Sequence, residues 1–223
     1  MSVRLLSVGE VMAEIRQDSS GAFQVGFAGD TFNTAVYCAR ELGQPGAVGY
    51  LSCLGEDPLS RSLMPTFEDE GIDVRAIRFD QERNIGIYSV STDEKGERSF
   101  HYWRSQSAAR LLFGTGSDLD KLEQAEIVYL SGITLAILEA GARDNLLRQL
   151  GKLRDAGRIQ IAFDSNYRPS LWESRKAALD AINGFWEIAD IALPSIDDEM
   201  DLYGRLRTRL FRGLAGGNGK HAR

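Results

Sequence analysis

"VRLLSVGEVMAEI", residues 3–15, holds an apolar run, a glycine and then an alternating stretch. The run predicts a core strand, and the alternation predicts a second, more exposed strand directly after it. Residues 31–42 then read as a helix. "GAVGYLSCLG" (46–55) gives a second core strand, "DPLSRSLMPTFEDEG" (57–71) a helix with an Asp-Pro start and a glycine stop, and "VRAIRF" (74–79) a third short strand. This β-α-β-α-β rhythm implies a parallel sheet with helices on both faces. It breaks at "NIGIYSVSTDEKGERSFHYWR" (84–104), where two β-rich runs flank a polar turn. A hairpin carrying Tyr and Trp, inserted into an α/β pattern, predicts a flap over a site. The rhythm then resumes with strand "EIVYLSG" (126–132), a helix over about 136–156 and strand "RIQIAFDSN" (158–166). A helix over about 173–185, strand "DIALPS" (190–195) and a short helix "DDEMDLYG" (197–204) complete it.

The chain has 223 residues, 43% of them hydrophobic, enough for one α/β domain with a sizeable core. No stretch approaches a membrane span or a secretory leader, so the expected location is cytoplasmic. A net charge of −6 argues against nucleic acid as the main partner. Its distribution is uneven: residues 204–223 hold five Arg and one Lys without an acid, leaving 20 basic and 32 acidic residues before them. Cys38 and Cys53 lack metal-like spacing and read as free thiols, and neither His101 nor His221 has an evident partner for metal binding or nucleophile activation. No G-x-G-x-x-G follows the first strand and "LAGGNGKH" (214–221) is not a P-loop, so dinucleotide and Walker-type sites are not expected.

Chemistry is expected beyond the carboxyl ends of parallel strands. On the opening turn Gly29 allows a close backbone approach, Asp30 or Thr31 can cap the following helix, and Asn33 can face the same space. A helix N-terminus usually suits a phosphate. The Asp30 carboxylate would repel one and suits hydroxyl donors, so the expected guest is a polyol or sugar. The later strand ends offer Ser131 and Gly132, then Asp164, Asn166 and Arg168, then Ser195, Asp197, Asp198 and Glu199. On the hairpin Arg98, Phe100, Tyr102 and Arg104 share one parity and hence one face. A Tyr hydroxyl and an Arg fork suit a molecule with both hydroxyls and a carboxylate.

Together "GFAGDTFNTAVYCAREL" (26–42), "TDEKGERSFHYWRSQSAAR" (92–110), "YLSGITLAIL" (129–138), "FDSNYRPSLW" (163–172) and "LPSIDDE" (193–199) resemble the ribokinase-like (PfkB) carbohydrate kinases. The resemblance implies a Rossmann-like α/β domain over residues 1–204, with a small β lid from about 11–27 and 78–106. It implies ATP-dependent phosphorylation of a keto sugar acid, 2-keto-3-deoxygluconate, to its 6-phosphate, with ATP and Mg²⁺ as cofactors; the alternative is a non-catalytic sugar-acid binding module. The family's sugar site maps onto Gly29, Asp30, Asn33, Tyr88, Tyr102, Arg104 and Arg168. Asn166, Arg168 and Ser195 map onto its ATP and phosphate contacts, and Asp198 onto its metal position, with Ser195 and Asp198 replacing an Asn and a Glu. Such kinases also use the lid as a surface for homo-oligomers. No Gly-Ala-Gly-Asp segment, whose aspartate takes the proton from the attacking hydroxyl, occurs here, so no catalytic base is assigned. The basic tail, residues 205–223, stands where that segment's approach is expected, which favours a truncation or frame shift over a natural tail.

Overall fold

A computed structural model of the chain describes residues 2–18, 20–92, 95–114 and 116–204. The basic tail and His221 lie outside the described residues. From the N-terminus, β1 (Val3–Val8) leads into β2 (Met12–Gln17), and β3 (Phe23–Ala28) returns to α1 (Asp30–Leu42). Then come β4 (Val48–Leu51), β5 (Cys53–Gly55), α2 (Pro58–Asp69), β6 (Arg78–Asp80) and the hairpin β7 (Gly86–Thr92) and β8 (Arg98–Trp103). After the hairpin, β9 (Ala125–Ser131) is followed by α3 (Gly132–Ile137), α4 (Ala140–Asp155) and β10 (Gln160–Asp164). The described part closes with α5 (Arg175–Ile188), β11 (Ile191–Leu193) and α6 (Ile196–Tyr203).

Two sheets organise these elements. The larger is parallel, in the order β11-β10-β9-β1-β4, and it gains a core on each side. Leu5, Val48 and Tyr50 pack with Phe32, Leu63 and Phe67 from α1 and α2. On the opposite side Val8, Val128, Leu130, Ile161 and Phe163 pack with Leu135, Leu146, Ile182 and Phe185 from α3, α4 and α5. Side chains buried on both faces explain why these strands read as apolar runs. The second sheet, β3-β2-β7-β8, is antiparallel except for the parallel β2–β7 pair. It stands at the carboxyl ends of the first, because β2 and β3 form the excursion between β1 and α1.

Three expectations need correction. The run at 46–55 is not one strand: β4 joins the main sheet, while β5 pairs with β6 in a separate two-stranded sheet. β6 therefore lies outside the second sheet, whose strands begin at Gly86 on that side, and Val74–Ile77 are not strand. The helix expected over 136–156 is two, since Leu138 and Glu139 adopt extended backbone between α3 and α4. Among the described residues no helix is long and apolar enough to cross a membrane.

Helix starts follow local chemistry. Asp57 caps α2 by accepting from the Leu59 and Ser60 amides, with Pro58 in the first turn, where its missing N–H costs nothing. The same carboxylate accepts from the Ser60 hydroxyl (2.7 Å) and, across the chain, from the Ile85 amide (3.1 Å). One side chain thus fixes both a helix N-terminus and the base of β7.

Candidate active site

Between the second sheet and the carboxyl ends of the parallel strands lies a cleft of about 290 Å³. Gly29, Asp30, Asn33, Tyr88, Tyr102, Arg104, Asn166 and Arg168, drawn from four separate chain segments, all line it. Ser195 and Asp198 are not on its wall.

Gly29 has extended backbone, and a Cβ there would stand 2.3 Å from the Glu10 carbonyl oxygen. The glycine is needed because two crossings between the sheets meet at this point. The expected side-chain cap on α1 is absent: Gly29 occupies the cap position and makes no such bond. Thr31 is buried, its hydroxyl 3.0 Å from that of Tyr50. Asp30 instead sits in the first turn, where a carboxylate suits the helix dipole. Its Oδ2 accepts from the Ser131 hydroxyl and from Asn166 Nδ2, the latter at 2.9 Å. Asp30 therefore ties α1 to the ends of β9 and β10.

Asn166 reaches Asp30 from a left-handed backbone (φ 27°), which asparagine tolerates better than most residues, and its amide donates to Asp164 Oδ1 (3.1 Å). Gly132 makes this junction possible, since a Cβ on it would lie 1.9 Å from the Ser165 carbonyl oxygen. Burial raises the Asp164 carboxyl above the usual range, and the neighbouring charges of Asp30 and Asp198 push the same way, against the Asn166 amide bond.

Arg168 donates from Nη1 to its neighbour's carbonyl at Tyr167 (2.8 Å) and to Asp198 (3.4 Å), with about half of its side chain exposed. Asp198 also accepts from the Tyr167 amide (3.1 Å) and the Ser165 hydroxyl (3.4 Å). Ser195 caps α6, its hydroxyl accepting from the Asp198 amide. Both residues thus brace the loop that carries Asn166 and Arg168. Asp198 thus accepts from three donors, one on Oδ1 and two on Oδ2. Among the described residues no group of three or more His, Cys, Asp or Glu is placed to hold a metal.

From the second sheet, Tyr88, Tyr102 and Phe100 form an aromatic ladder, with the Tyr88 and Tyr102 centroids 5.7 Å apart. Their cross-strand register follows from the antiparallel β7–β8 pairing, Tyr88 opposite Tyr102 and Val90 opposite Phe100. The Tyr88 hydroxyl donates to the Glu14 carboxylate, so its proton is already committed. Burial, aided by Glu14, raises the phenol and keeps it protonated. Tyr102 is half exposed, with the Arg104 guanidinium carbon 6.0 Å from its ring centre.

Sequence reading missed Glu10, Met12, Ala28 and Ile133 as wall residues, while it set Phe100 on the Tyr102 face of the hairpin without a role. Of these four, Glu10 carried a signal, as an acid set between two apolar runs. It forms a buried ion pair with Arg104, the two side chains 1% and 8% exposed.

Residues 3–210 match the sequence profile of the pfkB family carbohydrate kinases. A 2-dehydro-3-deoxygluconokinase of Escherichia coli K12 is 36% identical over 210 residues, covering 92% of this chain and 67% of that protein. One of Dickeya dadantii is 39% identical over 205 residues, covering 89% of this chain and 65% of that protein. The chain thus spans about two thirds of the length of these relatives. Among solved structures, a PfkB protein from Polaromonas sp. JS666 superposes with a TM-score of 0.81 at 27% identity, over 96% of this chain and 74% of that one. With the profile matched over nearly its whole length, and its parallel sheet and cleft built as described, the chain belongs to the pfkB family of carbohydrate kinases.

Proposed function

We propose that this polypeptide serves ATP-dependent phosphorylation of a keto sugar acid, 2-keto-3-deoxygluconate, at its terminal hydroxyl, and that the cleft is its sugar-acid site. The observation that carries the reading is the convergence of Asp30, Asn33, Tyr102, Arg104, Asn166 and Arg168 on one cleft. The identity of 36% and 39% to two 2-dehydro-3-deoxygluconokinases supports the choice of substrate.

In this reading Asp30 and Asn33 bind sugar hydroxyls. Asp30 is held for the purpose by Ser131 and Asn166, which both bond its Oδ2. Arg104 receives the carboxylate, and a guanidinium in a partly dry cleft suits that work through charge-assisted hydrogen bonds. Arg168, more exposed, faces the incoming phosphate of magnesium-ATP, which arrives as a co-substrate. The second sheet acts as a lid that excludes water and aligns the acceptor hydroxyl, so catalysis rests on positioning and charge neutralisation. No described residue is assigned as the base.

Calorimetric titration with 2-keto-3-deoxygluconate and with its carboxamide tests the site. Tighter binding of the acid is expected, and equal affinity would refute a carboxylate site. ADP formation that depends on the keto acid separates a kinase from a non-catalytic binding module.

A further inference from the structure

Glu10 is a buried charge on the cleft wall that the roles above leave unused. It occupies the crossing from β1 to β2, and Arg104 occupies the crossing that leaves β8. Their ion pair therefore joins the first entry into the second sheet to the last exit from it. Neither carboxylate oxygen of Glu10, nor Nε or Nη2 of Arg104, has a further hydrogen-bond partner among the described residues, so each charge is answered by the other. The packing around the pair is close. A Cβ on Gly86 would lie 2.7 Å from Glu10 Oε1 and 3.3 Å from Arg104 Cβ, so the absence of a side chain at 86 is what admits both. The Glu10 backbone is held in turn against Gly29.

A free arginine side chain is rich in rotamers, and ordering it when ligand binds subtracts from affinity. A guanidinium has five N–H donors in a fixed fork, so engaging one edge orients the rest. We propose that Glu10 is the positioning residue for Arg104: it holds one edge of the guanidinium and fixes the direction in which the remaining donors meet the sugar acid. Glu10 touches no substrate and acts through Arg104. The inference rests on the reading that Arg104 receives the carboxylate. A buried carboxylate opposite a guanidinium costs desolvation that a hydrophobic pair would avoid, which favours a role in geometry over one in stability.

The measurement is the ratio of affinities for 2-keto-3-deoxygluconate and its carboxamide, by calorimetry on the 223-residue chain, because general damage to the fold lowers both affinities and leaves their ratio. Glu10→Ala should reduce the ratio by about tenfold, the cost of ordering a long side chain on binding. Arg104→Ala should reduce it at least as far, and the double variant should match Arg104→Ala alone, since Glu10 has nothing left to position. An unchanged ratio in Glu10→Ala, or a further fall in the double variant, overturns the proposal. If Arg104→Ala leaves the ratio unchanged, the carboxylate reading fails and the inference with it; if only Glu10→Ala does, the inference alone fails. Should Glu10→Ala not fold, Glu10→Gln keeps the shape and one acceptor, and a fall of roughly threefold is expected. An unchanged ratio there is equally fatal.

Discussion

Replacing Asp57 with alanine should loosen the base of β7 in the second sheet without touching the cleft. The carboxylate accepts from the Leu59 and Ser60 amides (both 3.0 Å), the Ser60 hydroxyl (2.7 Å) and the Ile85 amide (3.1 Å). Loss of a helix cap costs about 1 kcal/mol. Stripping the Ile85 amide and Ser60 hydroxyl of their acceptor adds roughly 1 to 3 kcal/mol. The expected loss is therefore about 2 to 4 kcal/mol by urea denaturation at neutral pH. Burial works against ionisation of Asp57, but the bonds from Ser60 and Ile85 outweigh it and lower the pKa. A carboxyl depressed in the folded state stabilises above its unfolded pKa, and that contribution is lost as pH falls through the folded value. The gap between wild type and variant should accordingly shrink on acidification below roughly pH 4. A loss under about 0.5 kcal/mol, or a gap that widens in acid, would refute the reasoning.

In hydrogen exchange, residues 85–92 and 98–104 should gain protection when 2-keto-3-deoxygluconate is added, and unchanged protection would count against a lid. Gly132→Ala should destabilise by more than about 3 kcal/mol, because its Cβ would fall 1.9 Å from the Ser165 carbonyl, and a thermal melt near that of wild type would show that the junction yields. Burial raises the Cys53 thiol to about 11 and also raises that of half-buried Cys38. Titration with an aromatic disulfide at neutral pH should leave Cys53 unreacted until denaturant is added, and prompt labelling of Cys53 in native protein would contradict its burial.

Much of the frame was legible because burial on both faces writes itself as an apolar run, which is how β1, β9 and β10 announce themselves at 3–8, 125–131 and 160–164. Asp57-Pro58 marked the start of α2 by the same local logic. The division of 48–55 was not legible. A continuous apolar run has the same pattern whether its halves pair in one sheet or two, and partners lie elsewhere in the chain. The break at Leu138–Glu139 was hidden for a related reason, since both residues suit a helix and no glycine or proline marks their extended backbone. Reading the opening turn picked out Asp30, and reading the polar residues that follow each strand picked out Asn166 and Arg168; all three line the one cleft. The latter reading placed Ser195 and Asp198 in the right neighbourhood but could not foresee that the Tyr167 amide would claim Asp198. Glu10 stood in plain view, yet its meaning depends on Arg104, which the chain reaches only after every strand of the second sheet.

The charges around the cleft bear on which guest it suits. Asp30, Asp164 and Asp198 gather near the strand ends, close enough that the first and last help to raise the second. Bare phosphate or a simple dianion would meet that acidic end at a cost, whereas sugar hydroxyls can donate to it. Arg104 and Arg168 approach from the β8 and β10 ends of the same wall. Arg104 is neutralised in advance by a buried acid, while Arg168 is paired only through the more open Asp198 contact. A guanidinium already matched to a carboxylate contributes directed donors more than net charge, which suits a small fixed carboxylate. One that is half exposed and loosely paired can turn toward a larger, more highly charged group. This asymmetry, in the proposed reading, assigns the acid end of the sugar to Arg104 and the phosphoryl donor to Arg168, rather than the reverse.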